Sequence, residues 1–309
     1  MKKIEILGLQ TVPEIRAGDD LAKIICDCAK SENVGINEKD IIVLTSKIVS
    51  KALGLIRKKA DVKVSKKALK ISKKTSKDPI WVQMILDAGH QIVAVLPLEG
   101  AITKYVVNGS TDTESSQRLC DNEKCLFITR SKTGSIHTCD AGIDGSNHPE
   151  GIVSLFPEDP DAEAARIRAE IRKLTGKNIA VVLADTELIP YGTIDIAVGS
   201  AGVNPCSIMF GKKDKFGKPK FGGIDLVGLE LTAASALLFG QTDSGIPVTI
   251  IRGYDYQFDE KKNVSNTLRF AGDEKDILHI VREAMKLTSY AIEGFGKKLL
   301  LRIGSWFIR

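Results

Sequence analysis

Asn178-Ile-Ala-Val-Val-Leu-Ala-Asp-Thr186 is the stretch on which the fold turns. Ile179 to Ala184 is apolar without a break and rich in β-branched residues. A run this short, with no alternation, reads as a strand buried on both faces. It closes on a carboxylate and a hydroxyl, Asp185-Thr186. Just upstream, residues 160–174 place Ala164, Ile167, Ile171 and Leu174 at helical spacing, and Gly176 supplies a stop. An amphipathic helix leading into a buried strand points to an α/β protein.

The same alternation continues outward. Residues 4–9, 40–45 and 248–251 read as short strands, as do 125–129 and 134–138. Asp19 and Asp20 open a helix that puts Leu21, Ile24, Ile25 and Cys28 on one face. Asp78-Pro79 starts another, with Trp81, Met84 and Ile85 inward. A lysine-rich helix lies within residues 66–77, a helix rich in Ala and Leu over 226–238, and a charged amphipathic helix over 273–287. Residues 99–122 are polar, contain Asn108-Gly109 and a Ser/Thr cluster, and are expected to form a hairpin or loop insertion.

At 309 residues the chain is long enough for two domains or one large one. With 43% hydrophobic and 27% charged residues it has the composition of an ordinary globular protein. No apolar run is long enough to span a membrane. The N-terminal stretch, interrupted by Glu5, lacks a signal-peptide core. Six scattered cysteines fit reduced thiols, so a cytoplasmic location is expected. Collagen-like, disulfide-scaffold, disordered and multi-span membrane classes are excluded. The net charge of +5 is local in origin: residues 57–77 hold ten Lys/Arg and one Asp, which leaves −4 for the rest. A basic face of this kind is a place for anions such as phosphate, nucleic acid or lipid, or simply a solvated helix.

Four groups of residues carry possible chemistry. Cys139-Asp-Ala-Gly-Ile-Asp-Gly-Ser-Asn147 clusters oxygen donors among small residues, which suits Mg²⁺ or Mn²⁺ or, equally, an Asx-type turn. Asp185-Thr186-Glu187, at the end of a buried strand, is either a ligand site or a turn cap. Phe239-Gly-Gln-Thr-Asp-Ser-Gly-Ile246 is a glycine-bracketed polar loop able to wrap a nucleotide through its N–H groups, or a plain connection; it is no Walker A loop. Ser46, Lys47, Ser50 and Lys51 follow a buried strand, where lysines neutralise phosphate or stay solvated. The four histidines are far apart in sequence, no Gly-x-Ser-x-Gly elbow exists, and Gly199-Ser-Ala-Gly202 lacks dinucleotide-binding spacing.

Taken in order, Val12-Pro-Glu-Ile15, Gly18-Asp-Asp20, Ile48-Val-Ser-Lys-Ala52, Asp140-Ala-Gly-Ile-Asp-Gly-Ser-Asn147, the helix start at 157–168, Asp185-Thr186, residues 197–202 and residues 240–247 resemble the coenzyme F420-0:gamma-glutamyl ligase family. The resemblance spans roughly residues 3–287. It implies a mixed α/β (α+β) fold with mixed sheets, flanking helices and two interleaved subdomains, forming an intertwined homodimer. It implies a GTP- and divalent-metal-dependent ligase that joins L-glutamate to an acceptor carboxylate through an acyl-phosphate. By the same match, Val12, Pro13, Glu14, Ile15, Ser46, Lys47, Lys51 and Asn147 fall at the nucleotide, together with Phe239, Gly240, Gln241, Thr242, Asp243, Ser244, Gly245 and Ile246. Asp144 and Asp185, the catalytic pair, fall on one Mn²⁺ or Mg²⁺ ion. Thr186 and Gln241 fall on a second.

Three departures stand out. Where the family typically carries Gly-Arg-x-x-Arg-x-Gly, this chain has Asp185-Thr-Glu-Leu-Ile-Pro-Tyr-Gly192, shorter and without either arginine. Asp140 stands where Asn is usual, adding a metal ligand or changing charge. Residues 1–287 carry the resemblance, with 99–122 as an insertion; residues 288–309 form a basic and apolar extension that reads either as a membrane-surface segment or, preferably, as a terminal helix packed on the dimer. F420-0 is the implied acceptor. The missing arginines motivate a folate-type acceptor as the alternative. A non-catalytic nucleic-acid-binding protein would leave Asp144, Asp185 and Asn147 without a role, and a nucleotide-binding regulator without turnover is weaker still.

Overall fold

In the computed structural model, which describes residues 2–132, 134–189, 192–268 and 274–307, Ala180–Ile189 lies next to the edge of a five-stranded mixed sheet. The order is Glu5–Gly8, Val248–Arg252, Ile41–Thr45, Ala180–Ile189, Gly192–Ala201. Only Ile41–Thr45 and Ala180–Ile189 run parallel; the other pairings are antiparallel. Ile42, Leu44, Val181 and Leu183 pack with helices Leu21–Ser31 and Pro160–Thr175. Ile41, Val43, Ala180, Val182 and Ala184 face the other way, into the layer of helix Val227–Phe239. A strand covered on both sides has no solvent face, which is why its sequence shows no alternation.

The helices begin and end where their chemistry directs. The Asp20 carboxylate accepts the Lys23 N–H, and that of Asp159 accepts the Ala162 N–H ahead of Pro160. Gly176 closes the second helix at φ 71°, a backbone position that costs glycine little. At Gly199 a side chain would meet the Pro160 carbonyl at 2.4 Å. The small residues at 197–202 therefore let this helix start sit directly on the strand backbone, and the stretch is packing.

The strand runs further than its apolar core indicates. It continues through Asp185, Thr186 and Glu187 to Ile189 and pairs along its length with Gly192–Ala201, in a register that sets Thr186 opposite Asp195. Leu183 pairs with Gly199 and Ala184 with Ala197, so a bulge falls there. Pro190 and Tyr191, in the stretch that departs from the family, lie outside the described residues.

A smaller layer combines strands Gln91–Pro97, Cys125–Arg130 and Ile136–His137 with helices Lys66–Thr75 and Pro79–Asp87, around Val82, Ile85 and Phe127. Residues 99–122 are not a hairpin. They form helices Ala101–Gly109 and Thr113–Asn122. Asn108-Gly109 ends the first instead of turning two strands, and the Asp112 side chain caps the second by accepting the Ser115 N–H at 3.0 Å. Turn-forming residues also form helix caps, and here capping prevails.

Residues 1–268 form one compact unit and 269–309 a second. The second contains helices Glu274–Ala291 and Phe295–Phe307; Asp273 lies outside the described residues. The first of these helices continues past Leu287, and the second exposes Phe295, Trp306 and Phe307. Among the described residues no helix is long and apolar enough to cross a membrane.

Lys77, the last cation of the basic stretch, is buried. Its Nζ donates to Asp140 Oδ2 at 2.5 Å, to Glu123 Oε2 at 2.8 Å and to the Cys125 carbonyl at 3.1 Å. Asp140 Oδ1 accepts the Phe127 N–H at 2.9 Å. Burial opposes the Lys77 charge, but Asp140 and Glu123 outweigh it and hold its pKa above the usual lysine value. Asp140 is thus a structural ion-pair partner; the sequence expectation of an added metal ligand does not hold. Lys77→Met leaves the Asp140 charge buried and unpaired and is expected to destabilise the fold by about 3–5 kcal/mol in urea unfolding. Adding Asp140→Leu to that variant is expected to restore a large part of the loss.

Candidate functional site

The site starts from the parallel strand pair. Thr45 is in register with Ala184, so Ser46, where its chain turns into helix Ser46–Ala52, stands beside Asp185, which stays in its strand. The Ser46 hydroxyl donates to Asp185 Oδ1 at 2.7 Å. Because side chains alternate along a strand, Asp185 and Glu187 continue the face of Val181 and Leu183, and Thr186 the face of Val182 and Ala184. Across the hairpin the Thr186 hydroxyl donates to Asp195 Oδ1 at 2.6 Å, and Gln241 Nε2 lies 3.4 Å from the same oxygen.

The second wall is the loop that begins at Asp140. Ala141 and Asn147 sit at positive φ, 63° and 54°, and bend it tightly. Asp144 exchanges both backbone hydrogen bonds with Ser154. Its side chain accepts the Ser146 N–H at 2.6 Å and pairs with Lys47 Nζ at 2.7 Å. Burial works against the Asp144 charge, yet Lys47 and Ser146 outweigh it and hold its pKa below the usual aspartate value. Lys51 Nζ reaches Glu14 Oε1 at 2.6 Å and the Asn147 carbonyl at 3.3 Å. Asn147 Nδ2 donates to the Thr242 carbonyl at 3.0 Å, tying this loop to the 239–246 loop.

These elements enclose a cleft of about 610 Å³. Val12 to Ile15, Ser46, Lys47, Lys51, Asp144, Asn147, Asp185, Thr186, Phe239 to Asp243, Gly245 and Ile246 all line it. Ser244 does not. The four groups of residues singled out in the sequence therefore share one cavity. Asp185 carries no lysine or arginine partner among the described residues, and its pKa is pushed up to about 7. Burial is the chief cause, opposed by the Ser46 hydrogen bond and reinforced by Glu187.

Two side chains in or beside this cleft, Asp195 and His137, are absent from the sequence candidates, and a third, Glu187, stands among them without a ligand role. Asp195 is buried and lines it; its only sequence signal is a carboxylate between Ile194 and Ile196. Glu187 is buried next to Asp185, in the segment where the chain departs from the family. His137 is distant in sequence but lies 3.3 Å from Glu187. Nothing in the spacing links residue 137, in the three-stranded sheet, to residue 187, in the five-stranded one; only the fold does.

The arrangement offers two lysines, several carboxylates and amide and hydroxyl oxygens around a cavity walled by backbone loops. That chemistry suits a polyphosphate held with hard cations. Comparison with known proteins identifies the family. The model of the F420-0:gamma-glutamyl ligase family matches residues 10–253. The chain is 32% identical over 270 residues to the coenzyme F420:L-glutamate ligase of Methanosarcina mazei, covering 86% of this chain and 92% of that protein. It is also 32% identical over 255 residues to the protein of that name from Methanothermobacter thermautotrophicus (82% and 90% covered). With the Haloarcula marismortui protein of the same name it shares 30% identity over 295 residues (93% and 99% covered). A match over most of its length, with the matching motifs drawn into one cleft, makes the chain a member of the F420-0:gamma-glutamyl ligase family.

Proposed function

We propose that this chain uses GTP and two divalent cations to join L-glutamate to a carboxylate of F420-0. The observation that carries the reading is the convergence of Lys47, Lys51, Asp144, Asp185, Thr186, Gln241 and the 239–246 loop on one cleft. The donor set fits Mg²⁺ or Mn²⁺: apart from the lysines it is all oxygen, and among the described residues the half-buried Asp185 carboxylate has no lysine or arginine partner. Asp144 and Asp185 would hold one ion, and Thr186 with Gln241 the other, beside the Asp195 carboxylate. The ions neutralise charge on the transferred phosphoryl group.

The protein's own groups do the rest. Lys47 and Lys51 are positioned to exchange Asp144 and Glu14 for phosphate oxygens. The loop at 239–246 encloses the nucleotide through its backbone, held in place by Asn147. In the reaction the acceptor carboxylate oxygen attacks the γ-phosphorus, and GDP leaves. The glutamate amine then attacks the acyl carbon, loses a proton and displaces inorganic phosphate.

The names of the relatives favour F420-0 as acceptor. The segment 185–192, which lacks the family's two arginines, is the specific reason to keep a folate-type acceptor as the second reading. A homodimer is supported by the segment 207–226, where Ile208, Phe210, Phe216, Phe221 and Ile224 are exposed on an arm of two short paired strands.

Phosphate release from GTP with Mn²⁺ and L-glutamate is expected only when F420-0 is added. Release with tetrahydrofolate instead would select the second reading, and absence of GTP binding would overturn both. Asp144→Ala and Asp185→Ala are each expected to lower turnover by about 10²-fold or more while the circular dichroism spectrum is retained. Light scattering is expected to give twice the mass of one chain, and Phe216→Glu with Phe221→Glu to give the mass of one.

A further inference from the structure

We propose that His137, Asp185 and Glu187 form a binding site for a transition-metal dication of the Zn²⁺ type, separate from the hard-cation positions of the nucleotide cleft. One donor atom from each of the three side chains lies within 4.8 Å of the other two. The site needs only these three residues and does not depend on the ligase reading, although Asp185 is shared with it.

The geometry is that of ligands turned toward a common point. His137 is 2% exposed and Glu187 4%. His137 Nδ1 lies 3.3 Å from Glu187 Oε1, yet it makes no aligned hydrogen bond and is a buried nitrogen without a partner. A buried polar atom left in that state calls for an explanation, and an absent ion is one of the few available. The ring is held by Phe156, edge-on at 4.6 Å, and by His90 at 5.3 Å. Glu187 is fixed as well: its Oε2 accepts the Thr138 N–H at 2.6 Å and the Thr138 hydroxyl, which leaves Oε1 toward the histidine. Asp185 is oriented by the Ser46 hydroxyl. Both carboxylates are therefore oriented by hydrogen bonds, as metal ligands commonly are, and the imidazole by ring packing.

Charge points the same way. Two carboxylates, Glu187 buried and Asp185 half-buried, offer oxygens within 4.8 Å of one another, and among the described residues no lysine or arginine pairs with either. A neutral imidazole and two carboxylates make a dication site with neutral total charge. The donor set also selects the metal class: imidazole favours Zn²⁺ and its first-row neighbours, whereas Mg²⁺ prefers oxygen alone. Three protein ligands leave an open position. Asp185 lines the cleft, so that position is suited to an oxygen of a bound carboxylate or phosphate.

The test is a Co²⁺ titration of the EDTA-treated full chain without nucleotide, read by visible d–d absorption. About one equivalent of absorbing Co²⁺, displaced by Zn²⁺, is expected. His137→Gln and Glu187→Gln are each expected to weaken the affinity about tenfold or more, with the urea midpoint reporting that each variant is folded; His148→Gln is expected to leave it unchanged. In crystals of the unsubstituted protein soaked in Zn²⁺, the anomalous peak should lie among His137, Asp185 and Glu187. No nucleotide-independent absorption, affinity unmoved by both substitutions, or an anomalous peak between Asp144 and Asp185 alone would each overturn the proposal. Phosphate release with GTP is read separately, so loss of the ligase reading leaves this result standing.

Discussion

The parallel pairing of Ile41–Thr45 with Ala180–Ala184 is the constraint on which the site depends. It sets the point where one chain leaves the sheet, at Ser46, level with Asp185 of the longer strand, and a 2.7 Å hydrogen bond joins them. Parallel strands require cover on both faces, and the helix layers at 21–31, 160–175 and 227–239 supply it. A one-residue slip in this pairing would reverse which side chains face each layer. It would move Asp185 and Glu187 to the Thr186 face and dissolve the cleft. The apolar register thus fixes the polar geometry.

Electrostatics then divides the site into satisfied and unsatisfied charge. Lys47 with Asp144 and Lys51 with Glu14 are internal pairs that hold the lysines ready for anions. Such pairs in a partly solvated cleft are modest in strength, so exchange for phosphate faces little opposition. The group around Asp185 is different. It has carboxylates, an imidazole and a hydroxyl but no fixed cation, and burial makes its negative charge costly. One half of the cleft is thereby suited to anions and the other to cations, which is what the proposed phosphoryl transfer requires.

Much of this was legible in the sequence because it rests on local rules. Buried strands at 40–45 and 180–184 appear as unbroken apolar runs, and the helix at 160–175 shows its cap, its stripe and its glycine stop. Asp144, Asp185, Asn147 and the 239–246 loop were found through motif resemblance, and folding brings them to one cavity. What was not legible is long-range pairing. The second arm of the hairpin, Gly192–Ala201, has its apolar residues interrupted by Asp195 and glycines, so it gives no strand signal of its own. Asp195 acquires meaning only from its position opposite Thr186. Residues 99–122 misled because Asn-Gly and Ser/Thr clusters serve turns and helix ends alike.

Asp140 and Glu187 show how a departure from a family pattern is to be read. Both add a carboxylate beside the motif, and sequence alone assigns them similar significance. Their surroundings separate them. Asp140 has a buried ammonium at 2.5 Å and a backbone N–H on its other oxygen, so both its oxygens are paired and it supports the fold. Glu187 has one oxygen held by Thr138 and the other aimed at an imidazole nitrogen that accepts no partner in return. An added charge whose partner is present belongs to structure; one left facing a buried, unpartnered donor atom marks a place for something that binds.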